Sequence, residues 1–418
     1  MNILWIKEPL VTEAVRIKFA KVLLSAVNLQ EGQSLLVRCE PVHWPFVDVL
    51  SREAYRRGAR YVQVEADHAD LYKARIDHSR EEHLAFVPEF RSIIHEQYVV
   101  EGWALITIGG QEDPDLLASL NPKRNGTARK ALAEVDFPFR RAIQADKIRW
   151  VVTALPTPKW AAKVLGGEPG PKVEDELWKI MEPIMRLDQP DPVAAWVAHG
   201  EDLGTRRQAL ADLDLDSIRF VGPGTDLTIG IPKNAVWLGG SSSSLDGLWF
   251  LPNLPTEEVF TTPDFRRASG VVTLTRPALI LGRTVTDACF RFEEGKVIEW
   301  SADDGQETLT ELFATDEQAR YLGELALVDA GSPIYESGLV FHNILFDENA
   351  ACHIAFGSSY PGGIPGGNEM NTKEYRAAGG NVSAVHSDVM IGSPEVRVIG
   401  LTCDDQTVPI MEDGVWLI

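Results

Sequence analysis

Ser34-Leu-Leu-Val-Arg-Cys39, Phe46-Val-Asp-Val-Leu-Ser-Arg-Glu-Ala-Tyr55 and Tyr61-Val-Gln-Val-Glu65 follow one another within about thirty residues, and their order decides the fold of the first part of the chain. The first run is short and apolar and the third is short and rich in valine, which suits strands. The second has helical spacing and is stopped by Gly58. A strand, a helix and a strand in so short a span read as a crossover between parallel strands. Upstream, Val15, Phe19, Val22, Leu23 and Ala26 recur on one face of a helix over 12–28, with Thr12 placed as its N-cap. Downstream, the unit repeats as a helix across Glu81 to Glu96, the strand Trp103 to Ile108 closed by Gly109-Gly110, a helix across Ala128 to Gln144, and the strand Arg149 to Ala154. Residues 1–190 therefore form an α/β scaffold domain with a mainly parallel sheet, ending in the proline- and glycine-rich stretch 155–190 and its helical patch Glu174 to Met185.

Gly109-Gly110 after a strand suggests a phosphate loop, but neither G-x-G-x-x-G nor G-K-[ST] follows, which excludes nucleotide binding. The histidines of this domain (His43, His68, His78, His83 and His95) show no ligand spacing and read as surface or capping residues.

After a helix from Pro192 to Leu213 the texture changes to short strands: Ser217 to Val221, Asp226 to Gly230, Ala235 to Leu238, Ser269 to Leu281, and the pair Phe290 to Phe292 and Lys296 to Trp300 turning at Glu294-Gly295. Helices are expected near Glu307 to Phe313 and Glu317 to Tyr321. Residues 191–418 read as an α+β, strand-rich and largely antiparallel domain that carries the chemistry.

At 418 residues the chain exceeds one ordinary core, which agrees with two domains. A formal net charge of -21 argues against a nucleic-acid surface, since phosphates would be repelled. Cys39, Cys289, Cys352 and Cys403 lack C-x-x-C spacing and read as free thiols in a reducing compartment. The N-terminal Met1-Asn-Ile-Leu-Trp-Ile-Lys-Glu-Pro9 has no basic segment followed by an apolar one, and no run of about 18 apolar residues occurs. The expectation is a soluble, cytoplasmic protein without membrane contact.

Four segments of the second domain carry metal-ligand side chains. Asn253-Leu-Pro-Thr-Glu-Glu-Val-Phe-Thr-Thr-Pro263 sets two acids, Glu257 and Glu258, among apolar residues. In Gly323-Glu-Leu-Ala-Leu-Val328 an acid opens an apolar strand, where an inward carboxylate is costly unless paired or bound to metal. In Leu345 to Tyr360, a helix over Glu348 to Phe356 would set Asn349 and His353 on one face. In His386-Ser-Asp388, an extended backbone points imidazole and carboxylate the same way. Glu258, Glu324, Glu348, His353, His386 and Asp388 make a set in which carboxylates outnumber imidazoles and no thiolate takes part. That mix suits two divalent ions, roughly 3.5–4 Å apart, sharing an activated water. No G-x-S-x-G is present for a serine hydrolase.

These four segments, in order and spacing, resemble the M29 metallo-aminopeptidases along essentially the whole chain. The resemblance implies a homodimeric exopeptidase that acts on peptides with a free N-terminus and uses two divalent ions (zinc, cobalt, manganese or magnesium). It implies metal ligation by Glu258, Glu324, His353, His386 and Asp388, with Glu257 as the alternative to Glu258. Glu348 is implied as a further ligand or an acid behind the ligands. Glu324 or Glu257 would serve as the proton-transferring carboxylate, and Tyr360 would steady the tetrahedral intermediate. The loop Pro361 to Gly380 is longer and richer in glycine than the family pattern. Two rival readings stand beside this one. One is a ring-cleaving Fe(II) dioxygenase using His353, His386 and Asp388, which has no need of Glu258 and Glu324. The other is a protein that binds metal or peptide ends without turnover.

Overall fold

The computed structural model describes residues 13–110, 112–113 and 115–418. The N-cap at Thr12 and the reading of residues 1–9 lie outside these residues. By its contacts the chain divides into two units, one running through Ala198 and taking in Ser241–Leu254, the other made of His199–Gly240 and Pro255–Ile418.

The first unit carries the expected parallel sheet. Its strands are β1 (Ser34–Cys39), β2 (Tyr61–Ala66), β3 (Ala104–Gly109) and β4 (Trp150–Ala154), in the order β2-β1-β3-β4 with every pair parallel. Helices α1 (Glu13–Ala26) and α2 (Trp44–Arg56) bury Phe19 and Phe46 against each other, ring centroids 5.6 Å apart. Ser241–Leu254 belongs here because Val152 of β4 exchanges backbone bonds with Pro252 and Leu254, and because Arg149 pairs with Asp246 at 2.6 Å.

Two expectations are corrected in this unit. The helix across Glu81 to Glu96 is a 3₁₀ turn at Glu81–His83 and a separate helix over Phe90–Val100. Pro88 lies between them, where its ring cannot continue a helix. His43 and His95 are buried, each 3 % exposed, rather than on the surface. His43 Nε2 sits 2.9 Å from the Gly110 carbonyl, and His95 stacks on Phe139 beside Arg38.

The second unit is strand-rich and antiparallel. Its eight-stranded sheet includes Leu215–Gly222, Thr225–Gly230, Ala268–Thr273 and the hairpin Cys289–Glu293/Lys296–Ser301. Ala235 to Leu238 is not a strand: only Leu238 makes a bridge, to Phe260. Pro232 before it and Gly239-Gly240 after it leave too little extended backbone to pair.

The sheet that matters for function has four strands, ordered His386–Met390, His353–Gly357, Leu322–Val328 and Glu258–Thr261, all antiparallel. One of its faces is core: Val259, Leu325, Leu327, Ile354, Phe356 and Val389 are fully buried in the main apolar cluster. Phe356 packs edge-on to Phe290 at 4.8 Å and Phe313 at 5.1 Å. Truncating a ring so placed typically costs about 3–5 kcal/mol, so this contact holds the sheet in place.

Candidate metal centre

Side chains alternate across a strand, so the residues between those core positions point to the opposite face. Among them are Glu258, Glu324, Ala326, His353, Ala355, Gly357, His386 and Asp388. The register brings them together: Ala355 lies opposite both Glu324 and Asp388, Gly357 opposite His386, Ala326 opposite His353, and Val328 opposite Glu258. The middle of this face is thus floored by alanine and glycine, which leaves room above it for the longer side chains around it.

Gly323 aims Glu324. The ladder slips between Leu322 and Glu324, a bulge in which Gly323 is the unpaired residue. A Cβ there would lie 2.3 Å from the Ser358 carbonyl oxygen, so only glycine permits the close approach.

The result is two groups that share one carboxylate, Glu258–Glu324–His353 and Glu324–His386–Asp388. Within each, one candidate ligand atom per residue lies within 4.8 Å of the others. His353 Nε2 stands 3.3 Å from Glu258 Oε2 and 3.9 Å from Glu324 Oε1. His386 Nε2 stands 3.1 Å from Glu324 Oε2 and 3.2 Å from Asp388 Oδ1. Glu324 therefore turns one oxygen toward each imidazole. Glu258, Glu324, His353 and Asp388 are all 4 % exposed or less.

Both imidazoles are oriented from behind. His353 Nδ1 lies 3.1 Å from the Ala351 carbonyl and His386 Nδ1 lies 2.7 Å from the Ser358 carbonyl. A carbonyl only accepts, so Nδ1 donates in both rings and a neutral ring presents the bare Nε2 to the carboxylates. Buried Glu258 Oε2 and Asp388 Oδ1 receive no hydrogen bond, although an imidazole nitrogen is close to each. Lone pairs facing carboxylates in a dry site repel unless a cation or protons lie between them.

The titration behaviour follows. Burial is the largest influence on His353 and would lower it, but Glu258, then Glu324 and Asp388, raise it to about 10. His386 is likewise opposed by burial, yet Asp388 and Glu324 lift it to about 12. Glu324 is raised by burial and by the charges of Glu258 and Asp388, with His386 opposing. Asp388 is lowered, because His386 and His353 outweigh its burial. Oxygen and imidazole donors packed this way fit divalent cations, which would replace the protons that these groups otherwise hold.

The remaining expected residues sit around this core. Glu348 lies outside both groups, in a 3₁₀ turn at Glu348–Ala350; burial first, then Glu258 and Asp388, push its carboxyl well up. The helix expected over Glu348 to Phe356 is absent. His353 opens a strand, and Asn349 instead accepts the Glu257 backbone N–H at 2.6 Å and donates to the Leu345 carbonyl. The 3₁₀ turn stops at Ala350, and from His353 onward pairing with the strands on both sides outcompetes a helix. Glu257 belongs to neither group, and its carboxylate lies 3.3 Å from His199 Nε2. His199 also approaches the Thr256 carbonyl at 2.8 Å. It escaped the sequence reading because a single histidine on a long helix carries no ligand spacing.

Tyr360 sits edge-on to His386, ring centroids 5.1 Å apart, and to Phe260 at 5.6 Å. Its carbonyl accepts from Thr262 Oγ1 at 2.6 Å, and Gly363 lets the loop come this close, since a Cβ there would lie 2.5 Å from the same Oγ1. Tyr360 is 43 % exposed overall, so of the two influences that raise its hydroxyl well above the usual value, desolvation and the charges of Glu324, Asp388, Glu348 and Glu258, the charges are the firmer. The stretch after it is not a bare loop: Thr372–Ala377 is helical, with a capping box between Asn371 and Glu374.

A buried set of carboxylates and oriented imidazoles on an antiparallel sheet has the donor chemistry of a metal-dependent enzyme. Comparison with known proteins gives the family. Residues 13–416 match the model of the thermophilic metalloprotease (M29) family. Aminopeptidase T of Thermus aquaticus is 40 % identical over 392 residues, 94 % of this chain and 95 % of that one. Aminopeptidase 2 of Geobacillus stearothermophilus is 38 % identical over 390 residues, 93 % and 94 % of the two chains. The solved structure of wild-type AmpT from Thermus thermophilus superposes with a TM-score of 0.89 at 36 % identity, covering 97 % of this chain and 99 % of that chain. The chain belongs to the M29 family, as the four motifs implied.

Proposed function

We propose that the protein removes N-terminal residues from peptides at a centre of two divalent ions. Membership of a metalloprotease family and the names of the relatives make it a metallo-aminopeptidase. The observation that carries the finer reading is the shared carboxylate of Glu324, which turns one oxygen toward each of two imidazoles whose Nδ1 atoms are tied back to carbonyls.

Glu258, Glu324 and His353 would hold one ion and Glu324, His386 and Asp388 the other, with Glu348 as a further ligand or an acid behind them. Zinc, cobalt, manganese or magnesium bound there would polarise the scissile carbonyl and lower the pKa of a water toward neutrality. Glu257 beside Glu258, or Glu324 once one of its oxygens is released from an ion, would take the proton of the attacking water and pass it to the leaving amine. Tyr360 donates to the developing oxyanion, and its raised pKa keeps that proton in place. Glu258 and Glu324 in one buried cluster favour two ions over the single iron of a ring-cleaving dioxygenase. A cytoplasmic homodimer completes the reading, and the free thiols Cys39, Cys289, Cys352 and Cys403 suit a reducing compartment. No helix among the described residues is long and apolar enough to cross a membrane.

Turnover of aminoacyl-p-nitroanilides should vanish on chelation and return with zinc, cobalt or manganese, with two equivalents of metal in the active protein. Full activity after stripping would overturn the proposal.

A further inference from the structure

A cavity of about 340 Å³ opens along the outer edge of the His386 strand, and His386, Ser387 and Asp388 form one of its walls. The rest of its lining is mostly apolar: Leu279, Leu281 and Ile344, with Ala384 and Val385 leading into His386. Leu279 and Leu281 belong to the hairpin Ala278–Ile280/Arg283–Val285, in which Ala278 and Ile280 face the core. By alternation Leu279 faces away from that core, and Leu281 lies in the turn; at both positions a small hairpin ordinarily carries polar residues. Instead Leu281 is 48 % exposed, and Ile344, which lines the same cavity, is 41 % exposed.

The backbone sharpens the point. Leu281 and Gly282 are the two residues between the paired Ile280 and Arg283, with φ of +50° and +79°. Positive φ at both centres is the turn that favours Asn-Gly. Leucine tolerates this conformation poorly, so the position trades local comfort for a side chain that the fold itself does not use. What that side chain does use is the cavity beside the carboxylates.

We infer that Leu281, with Leu279 and Ile344, receives the side chain of the peptide's N-terminal residue and sets a preference for large apolar residues there. This rests on the aminopeptidase reading above. The cavity adjoins His386 and Asp388, so a residue whose amino end lies at the centre has its side chain within reach of this wall. Contact with leucine-sized groups favours such substrates over alanine by roughly tenfold or more, the usual worth of a few methylenes in an apolar pocket.

The test uses Leu281→Asn, which suits the turn and should melt no lower than the wild type. The ratio of kcat/KM for leucyl- against alanyl-p-nitroanilide should exceed about ten in the wild type and fall about tenfold in the variant. A wild type without this preference, or a variant with an unchanged ratio, overturns the inference. A second readout needs no turnover: L-leucinamide should raise the wild-type melting temperature more than L-alaninamide does, and Leu281→Asn should erase the difference. If no aminoacyl substrate is turned over but the amides still discriminate, the pocket stands and the aminopeptidase reading fails. If turnover is normal and the amides do not discriminate, the pocket fails alone.

Discussion

Glu324 and Asp388 both stand opposite Ala355, one on each flanking strand, so a single methyl group separates two buried carboxylates. A sheet tolerates like charges across so short a span only if something positive lies between them. In the metal-free protein that charge is supplied by protons on His386 and His353; with cations bound, by the ions.

The smallness of Ala355 is then a requirement of the site. Ala355→Val keeps strand propensity but fills the floor between the two acids, at a cost of about 1–3 kcal/mol from overpacking. The variant should fold, with an unchanged far-ultraviolet spectrum and a lowered melting temperature, yet bind metal at least tenfold more weakly. Stoichiometric metal at wild-type affinity would show that the ligands do not converge over this position.

Tyr360 should matter to rate and little to stability. Tyr360→Phe leaves the contacts with His386 and Phe260 available and removes only the hydroxyl. Loss of one oxyanion donor lowers kcat by about 10²–10³-fold, with KM and metal content held. Unchanged kcat would remove Tyr360 from the chemistry.

His43 gives a pH dependence far from the metal centre. Burial, only partly offset by the Gly110 carbonyl, pushes its pKa down from 6.5 to about 4. The unfolded chain therefore binds a proton that the native chain refuses, and stability rises with pH in this window. The contribution is fully present above about 6.5 and is lost as pH falls toward 4. It is on the order of 3 kcal/mol. His43→Gln retains a donor for Gly110 but cannot charge, so its denaturation midpoint should fall less steeply than the wild type's between these pH values. Parallel curves would place the acid sensitivity elsewhere.

Much of this protein was legible in one dimension. Alternating apolar runs and helices announced the parallel sheet, because backbone periodicities of two and 3.6 are written directly into residue order. The same alternation put His386 and Asp388 on one side of a strand, and it is visible in His353-Ile-Ala-Phe-Gly357 once that segment is known to be extended. What could not be read was that it is extended, since the helical turn before it stops at Ala350 and pairing with the strands on either side decided the rest.

Register was the other missing quantity. Whether Glu257 or Glu258 faces the imidazoles is a shift of one residue, and it was settled when Glu258 paired opposite Val328. His199 reached Glu257 from a helix that no motif connected to the site. Residue order thus determined most of the elements, the residue types of the candidate site and the family. Tertiary structure alone decided which acids converge over Ala355, because convergence depends on pairing between strands far apart in the chain, and local physics leaves that pairing open.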